Sequence, residues 1–129
     1  MTPPIEYLEV EDLVALAIDL FGSPPPIRDA GLLAAAAARP RASVFGEDAY
    51  PDVWTKAAAL LHSIVKNHPL VDGNKRLGWV ATAVFLDLNG IEVTDIGNDA
   101  VFDVVMAVTV GGDEVTEIAT TLSSLVTER

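Results

Sequence analysis

The chain has 129 residues, half of them apolar but only 6% aromatic, with no cysteine and a formal charge of −11 at pH 7. That length supports one sizeable core of aliphatic residues and alanine, which suits closely packed helices in one domain spanning 1–129. Disulfides and thiolate metal sites are excluded, and the acidic balance argues against nucleic acid as a partner.

The charge is uneven. Residues 28–76 hold seven of the eight Lys and Arg against five acids, a window of +2 that leaves −13 for the remainder. An acidic shell aids solubility, and the less negative window is compatible with a nucleotide.

In chain order, Met1–Glu6 has no basic segment followed by an apolar run, and no charge-free stretch approaches the roughly 18 residues a membrane span needs. A soluble, cytoplasmic protein that contacts no membrane is expected. The first helix is predicted over Glu9–Phe21 with Leu13, Leu16, Ala17 and Leu20 inward, ending at Gly22. Ser23-Pro24-Pro25-Pro26 is a stiff connector, and a second helix follows over Asp29–Ala38, with Asp29 as cap and Pro40 beyond its end. Residues 41–51 have no helical period and read as a short flap or hairpin.

Asp52–Asn67 spaces Val53, Ala57, Leu60, Leu61, Ile64 and Val65 as an amphipathic helix, which Pro69 terminates. Leu77–Leu88 is an almost wholly apolar helix stopped by Asn89-Gly90. Ile91-Glu92-Val93 reads as extended. Two more helices follow, one over Asn98–Val110 with Ala100 or Val101, Val104, Val105 and Val108 inward, and a last one capped by Asp113. About six helices in all make a compact all-α bundle, with the helix after the loop expected at its centre.

Between the two apolar helices lies His68-Pro69-Leu70-Val71-Asp72-Gly73-Asn74-Lys75-Arg76, nine residues unlike either flank. His68 is the one side chain there whose type titrates near neutrality, the natural general base for an attacking hydroxyl. Asp72 offers a hard oxygen to a magnesium ion carried in with a nucleotide. Gly73 lets the backbone turn and a ligand approach closely, and Asp72 or Asn74 could cap the following helix. Gly73 and Asn74 would bind phosphoryl oxygens through main-chain and amide donors, and Lys75 and Arg76 would neutralise the transferring and leaving groups. Two cations in a first turn oppose the helix dipole by a few tenths of a kcal/mol, unless an anion meets them. Taken singly, each residue has a plain account, as surface histidine, turn residue or solvated charge; their coincidence is what points to phosphate chemistry. His62, six residues before His68, has the wrong helical spacing for a shared metal, and Trp54 and Trp79 read as core anchors.

The stretch resembles the signature of the Fic/Doc family, HPFx(D/E)GNGRxxR before a central helix, and most closely the Doc (death-on-curing) branch, HxFx(D/A)xNKR. His68, Asp72, Asn74, Lys75 and Arg76 match that branch, while Leu70 replaces its aromatic residue. Tyr7-Leu8, Arg28–Leu33 with Ala36, Arg39-Pro40, Phe45-Gly46, Tyr50-Pro51 and Lys56–Ala58 are similar too, so the resemblance covers about the first 90 residues. Family members that transfer AMP carry glycine at Lys75 and a second arginine at Trp79. The Doc resemblance therefore implies a reversed nucleotide and transfer of the ATP γ-phosphate, with Mg2+, to a protein hydroxyl. In that branch the target is a threonine of elongation factor Tu, and the outcome is arrested translation.

The resemblance also implies a toxin of a toxin–antitoxin pair, a cognate antitoxin whose disordered segment folds on binding, and a flap at 41–51 that aligns the target chain by main-chain pairing. The alternatives are a Fic-type AMP transferase, or a catalytically silent helical module that only binds an antitoxin or repressor. The letters of the inhibitory S/TxxxE motif of some Fic proteins occur at Thr2–Glu6 and at Ser124–Glu128; neither copy continues with Gly or Asn, and both are read as chance.

Overall fold

The computed structural model describes residues 3–93, 95–111 and 114–127. Six α-helices make up most of them: α1 Val10–Phe21, α2 Ala30–Ala38, α3 Val53–Asn67, α4 Asn74–Leu88, α5 Asn98–Val110 and α6 Val115–Thr127. A 3-10 turn, Arg39–Arg41, leads from α2 into a hairpin of β1 Ser43–Val44 and β2 Glu47–Asp48, antiparallel with Ser43 opposite Asp48. Both the all-helical architecture and the hairpin within 41–51 agree with the sequence. No described helix is long and apolar enough to cross a membrane.

The helix boundaries have local causes. Asp29 caps α2 by accepting from Leu32 N at 3.0 Å. Asp52 caps α3 by accepting from Thr55 N at 2.8 Å, while Thr55 Oγ1 accepts from Asp52 N, a reciprocal pair that satisfies two otherwise orphaned donors. The expected cap at Asp113 lies outside the described residues. Residues 91–93 form no strand; they cross back irregularly, with Val93 buried.

One correction concerns the centre of the bundle. It is α3, not the helix after the loop, that packs against α2, α4, α5 and α6 together. The reason is composition: the run Ala57-Ala58-Ala59 lets neighbours approach from several sides, and α3 buries nine residues where an amphipathic helix would bury one stripe. The core is a single cluster to which every helix contributes, Leu13, Leu33, Leu61, Phe85, Val104 and Leu122 among them. Each such side chain is worth about 1.5–3 kcal/mol of burial. Helix α4 meets α3 closely at Gly78, where an added Cβ would lie 3.0 Å from Val65 Cγ2 and 3.2 Å from Leu61 Cδ1. That contact sets how the loop between the two helices must bend.

The hairpin is anchored from within. Lys56, 1% exposed on α3, donates from Nζ to Pro40 O and to Asp48 Oδ2, both at 3.2 Å. Arg39 donates to Tyr50 Oη at 2.9 Å and to Ser63 Oγ at 3.0 Å, and its Nη1 lies 2.8 Å from His62 Nδ1. His62 is thus a structural acceptor, in keeping with its sequence reading.

Candidate functional site

The α3–α4 loop starts where Pro69 forbids further helix, and His68 takes the left-handed conformation, φ 53° and ψ 61°, as the C-cap of α3. The reversed chain is fastened to the α1–α2 connector. Arg28 and Asp29 donate their N–H groups to Pro69 O at 2.8 and 3.0 Å, and Val71 N donates to Pro26 O at 2.8 Å. Arg28 adds its guanidinium, with Nε on His68 O at 2.8 Å and Nη2 on Asn67 O at 3.0 Å. A cation on the last carbonyls of α3 also complements that helix's negative end. The role of Arg28 was not legible as chemistry in the sequence, because the carbonyls it serves lie about forty residues away.

Leu70 fills the core end of the loop and is 1% exposed. An aliphatic side chain in place of an aromatic one therefore still seats the loop firmly. Both main-chain groups of Leu70 are taken by one side chain: Asn74 Oδ1 accepts from Leu70 N at 2.8 Å, and Asn74 Nδ2 donates to Leu70 O at 3.0 Å. This pair orients the amide uniquely, since an N–H can only donate and a carbonyl only accept. The second Nδ2 proton then faces His68 Nδ1 at 3.4 Å. So the imidazole and the amide, six residues apart in sequence, meet at the start of α4, while the rest of the ring is exposed. A donor at Nδ1 favours the tautomer protonated on Nε2, but a contact of 3.4 Å enforces this only weakly.

The first turn of α4 begins three residues earlier than the apolar pattern indicated, at Asn74. Neither Asp72 nor Asn74 caps it. Gly73 is the N-cap, at φ 91°, and Asp72 Oδ1 accepts the Gly73 N–H at 2.9 Å instead. Only glycine fits there: the backbone is left-handed, and an added Cβ would overlap the Phe21 ring at the end of α1. The buried amide of Asn74 is committed to the loop, so outward donors at this terminus are the N–H groups of the first turn, which lack intrahelical acceptors, together with Lys75 and Arg76. Both cations are exposed, and among the described residues neither has an acidic partner. The Arg76 guanidinium lies 5.8 Å from the centre of the Phe21 ring.

Asp72 is exposed, with its second oxygen open to solvent. Among the described residues no three His, Asp or Glu side chains gather to hold a metal. A lone carboxylate beside a helix start with unpaired first-turn N–H groups suits magnesium, which keeps most of its ligands as water and substrate phosphate.

Two further features border the motif or were singled out with it. A cleft of about 370 Å³ opens between α4 and α5, lined by Lys75, Arg76 and Trp79 on one side and Asn98, Phe102 and Val105 on the other. Trp79 and Trp54 are both half-buried and packed against the core, in keeping with their reading as core anchors, and Trp79 also lines the cleft. The signal for the α5 side was available in principle, since 98, 102 and 105 fall on one helical face, but Phe102 lies off the valine stripe and drew no attention. In the hairpin, Phe45 sits fully exposed at the turn, with φ 52°, next to a half-exposed Val44. Of the S/TxxxE matches at Thr2–Glu6 and Ser124–Glu128, Ser124 lies in α6, while Thr2 and Glu128 are outside the described residues.

Comparison with known proteins agrees with this geometry. The profile described as Fic/DOC family matches residues 5–86. A protein of Mycolicibacterium smegmatis named Toxin Doc is 53% identical over 88 residues, 68% of each chain. One of Escherichia phage P1 named Protein kinase doc is 28% identical over 124 residues, 94% of this chain and 96% of that one. With the family profile covering the helices on both sides of the loop and the loop itself, the chain belongs to the Fic/DOC family, on its Doc branch.

Proposed function

We propose that this protein is a Doc-type toxin that transfers the γ-phosphate of ATP to a serine or threonine hydroxyl of a translation protein. The observation that carries the proposal is the meeting of His68 with Asn74, 3.4 Å apart, at a helix start bearing two cations without acidic partners. The names of the two relatives, one a toxin and one a protein kinase, support the same reading.

In this mechanism the imidazole of His68 accepts the proton of the target hydroxyl as its oxygen attacks the γ-phosphorus. The bond to the β,γ-bridging oxygen breaks, and ADP leaves with that oxygen. Asn74 acts through the loop, holding Leu70 and facing the ring, while Gly73 admits the phosphate to the first-turn N–H groups of α4. Lys75 and Arg76 balance charge on the transferred group and on the leaving diphosphate. Asp72 would hold magnesium with the phosphates, supplying charge neutralisation there. Lys75 and Trp79, which stand where AMP-transferring members have glycine and arginine, favour γ- over α-phosphate transfer. Elongation factor Tu is the target by resemblance, and a cognate antitoxin the inhibitor.

The test is incubation with ATP labelled at the γ or the α phosphate in the presence of a bacterial lysate. Label from the γ position should appear on a protein band and vanish with His68→Asn, a residue that tolerates the left-handed backbone. Transfer from the α position alone would refute the kinase reading and favour an AMP transferase.

A further inference from the structure

The hairpin buries no side chain. Every residue from 43 to 49 is exposed, so apolar contact cannot hold it in place, and a two-stranded hairpin by itself is marginal in water. Its position depends on polar fastenings, and these converge on Lys56, the only charged side chain buried among the described residues. The Nζ of Lys56 reaches three segments: it donates to Pro40 O ahead of β1 and to Asp48 Oδ2 in β2, both at 3.2 Å, and it lies 5.5 Å from the centre of the Tyr7 ring in the N-terminal segment. Both legs of the hairpin are thus tied to one point on α3. Taking an ammonium out of water is costly, and the Asp48 side chain it meets is 58% exposed, so the ion pair adds little net stability. What the fastening supplies is placement.

Helix α3 also carries the other half of the proposed site, because its C-cap is His68, twelve residues and about 18 Å along the axis from Lys56. The buried polar side chains among the described residues divide accordingly. Thr82 bonds back within α4 to Gly78 O, and Ser63 accepts from Arg39, whereas Asn74 grips the His68 loop and Lys56 grips the hairpin. The last two fix the segments a target chain would touch together, one that takes its proton and one whose open edges offer main-chain groups. We propose that Lys56 is a positioning residue for the protein substrate: it holds the hairpin in a fixed place relative to His68, so that a target chain paired with the hairpin presents its hydroxyl to the imidazole. The inference rests on the reading that this chain phosphorylates a protein hydroxyl, and it adds what sets the target in register with the base. A hairpin released from Lys56 and correctly placed only about a tenth of the time raises the apparent KM for the target about tenfold. The nucleotide end of the site keeps its own fastening at Asn74, so ATP use is untouched.

The experiment measures initial rates of γ-label transfer by the full chain, first against the concentration of bacterial lysate protein dialysed free of nucleotide, then against ATP. Lys56→Met should raise the lysate KM about tenfold and leave kcat and the KM for ATP within about twofold, the pattern of a lost binding contribution. Asp48→Ala, at an exposed position, tests the same brace without touching the core and should also raise the lysate KM. Asp48→Asn keeps an acceptor for Lys56 and should restore most of the affinity. The Lys56→Met, Asp48→Ala double variant should be no worse than Lys56→Met alone, since both changes break one brace. An unchanged lysate KM in the single variants, or losses that fall on kcat and the KM for ATP instead, would overturn the positioning role and leave the transfer chemistry standing. Additive losses in the double variant would overturn it too, with Asp48 then meeting the target directly. Absence of γ-label transfer by the unaltered chain would overturn the phosphotransfer reading itself, and the role of Lys56 with it.

Discussion

Asn74→Ala tests whether the amide of Asn74 is the fastening of the loop. The substitution removes the bonds at 2.8 and 3.0 Å to Leu70 N and Leu70 O, and Leu70 is 1% exposed, so water reaches neither group without opening the loop. An unsatisfied buried donor or acceptor costs about 1–3 kcal/mol, and the two share one opening, so the expected loss is about 2–4 kcal/mol. Urea unfolding followed by circular dichroism would measure it, and hydrogen exchange at the Leu70 amide would show whether the loss is local. Asn74→Asp keeps an acceptor for Leu70 N but turns a second carboxylate oxygen toward Leu70 O, so it should rescue only part of the stability. A loss below about 0.5 kcal/mol for Asn74→Ala, with Leu70 still protected, would refute the reasoning, because surface substitutions reach that size without any buried bond.

Other substitutions probe the neighbouring parts. Gly73→Ala forces a side chain into φ 91° and into the Phe21 ring, and should cost at least about 2 kcal/mol in thermal or urea unfolding. His68→Asn should abolish phosphate transfer while shifting stability by less than about 1 kcal/mol, since the ring is exposed and its one contact long. Lys56→Met fills similar volume but leaves Pro40 O and Asp48 without their donor; a loss of about 1–3 kcal/mol is expected, with faster hydrogen exchange in residues 43–48 than in α3. Arg28→Ala should leave the bundle folded and lower activity more than stability, a difference read by comparing transfer rate with urea midpoint, because the guanidinium it removes meets only the exposed carbonyls of Asn67 and His68.

The extent to which the sequence foretold the site differs by residue. His68, Asp72, Gly73, Lys75 and Arg76 were legible as a group because an imidazole, a carboxylate, a glycine and two cations fall within nine residues between two apolar segments. Asn74 was legible as a member but not in its geometry: a side chain read as a ligand donor spends both ends of its amide on Leu70. Trp79 was read as a core anchor and does pack against the core, but its place at the cleft was not legible, because the cleft exists only where α5 packs beside α4. Phe21 and Arg28 had no local signal, since each meets the site from an element distant in sequence.

The helices themselves follow from spacing and caps, which are local: apolar periodicity marks α1, α3, α5 and α6, Asp29 and Asp52 open α2 and α3, and Pro69 and Asn89-Gly90 close α3 and α4. What periodicity could not decide is which helix lies innermost, because α3 and α4 both look buried and only the packing of alanines against four neighbours selects α3. Nor could it aim a side chain across space. The direction of the His68 ring, the commitment of Asn74 and the cleft beyond Lys75 depend on close contact at Gly78 and on the connector bonded to the loop, both long-range packing events whose partners no window of sequence contains.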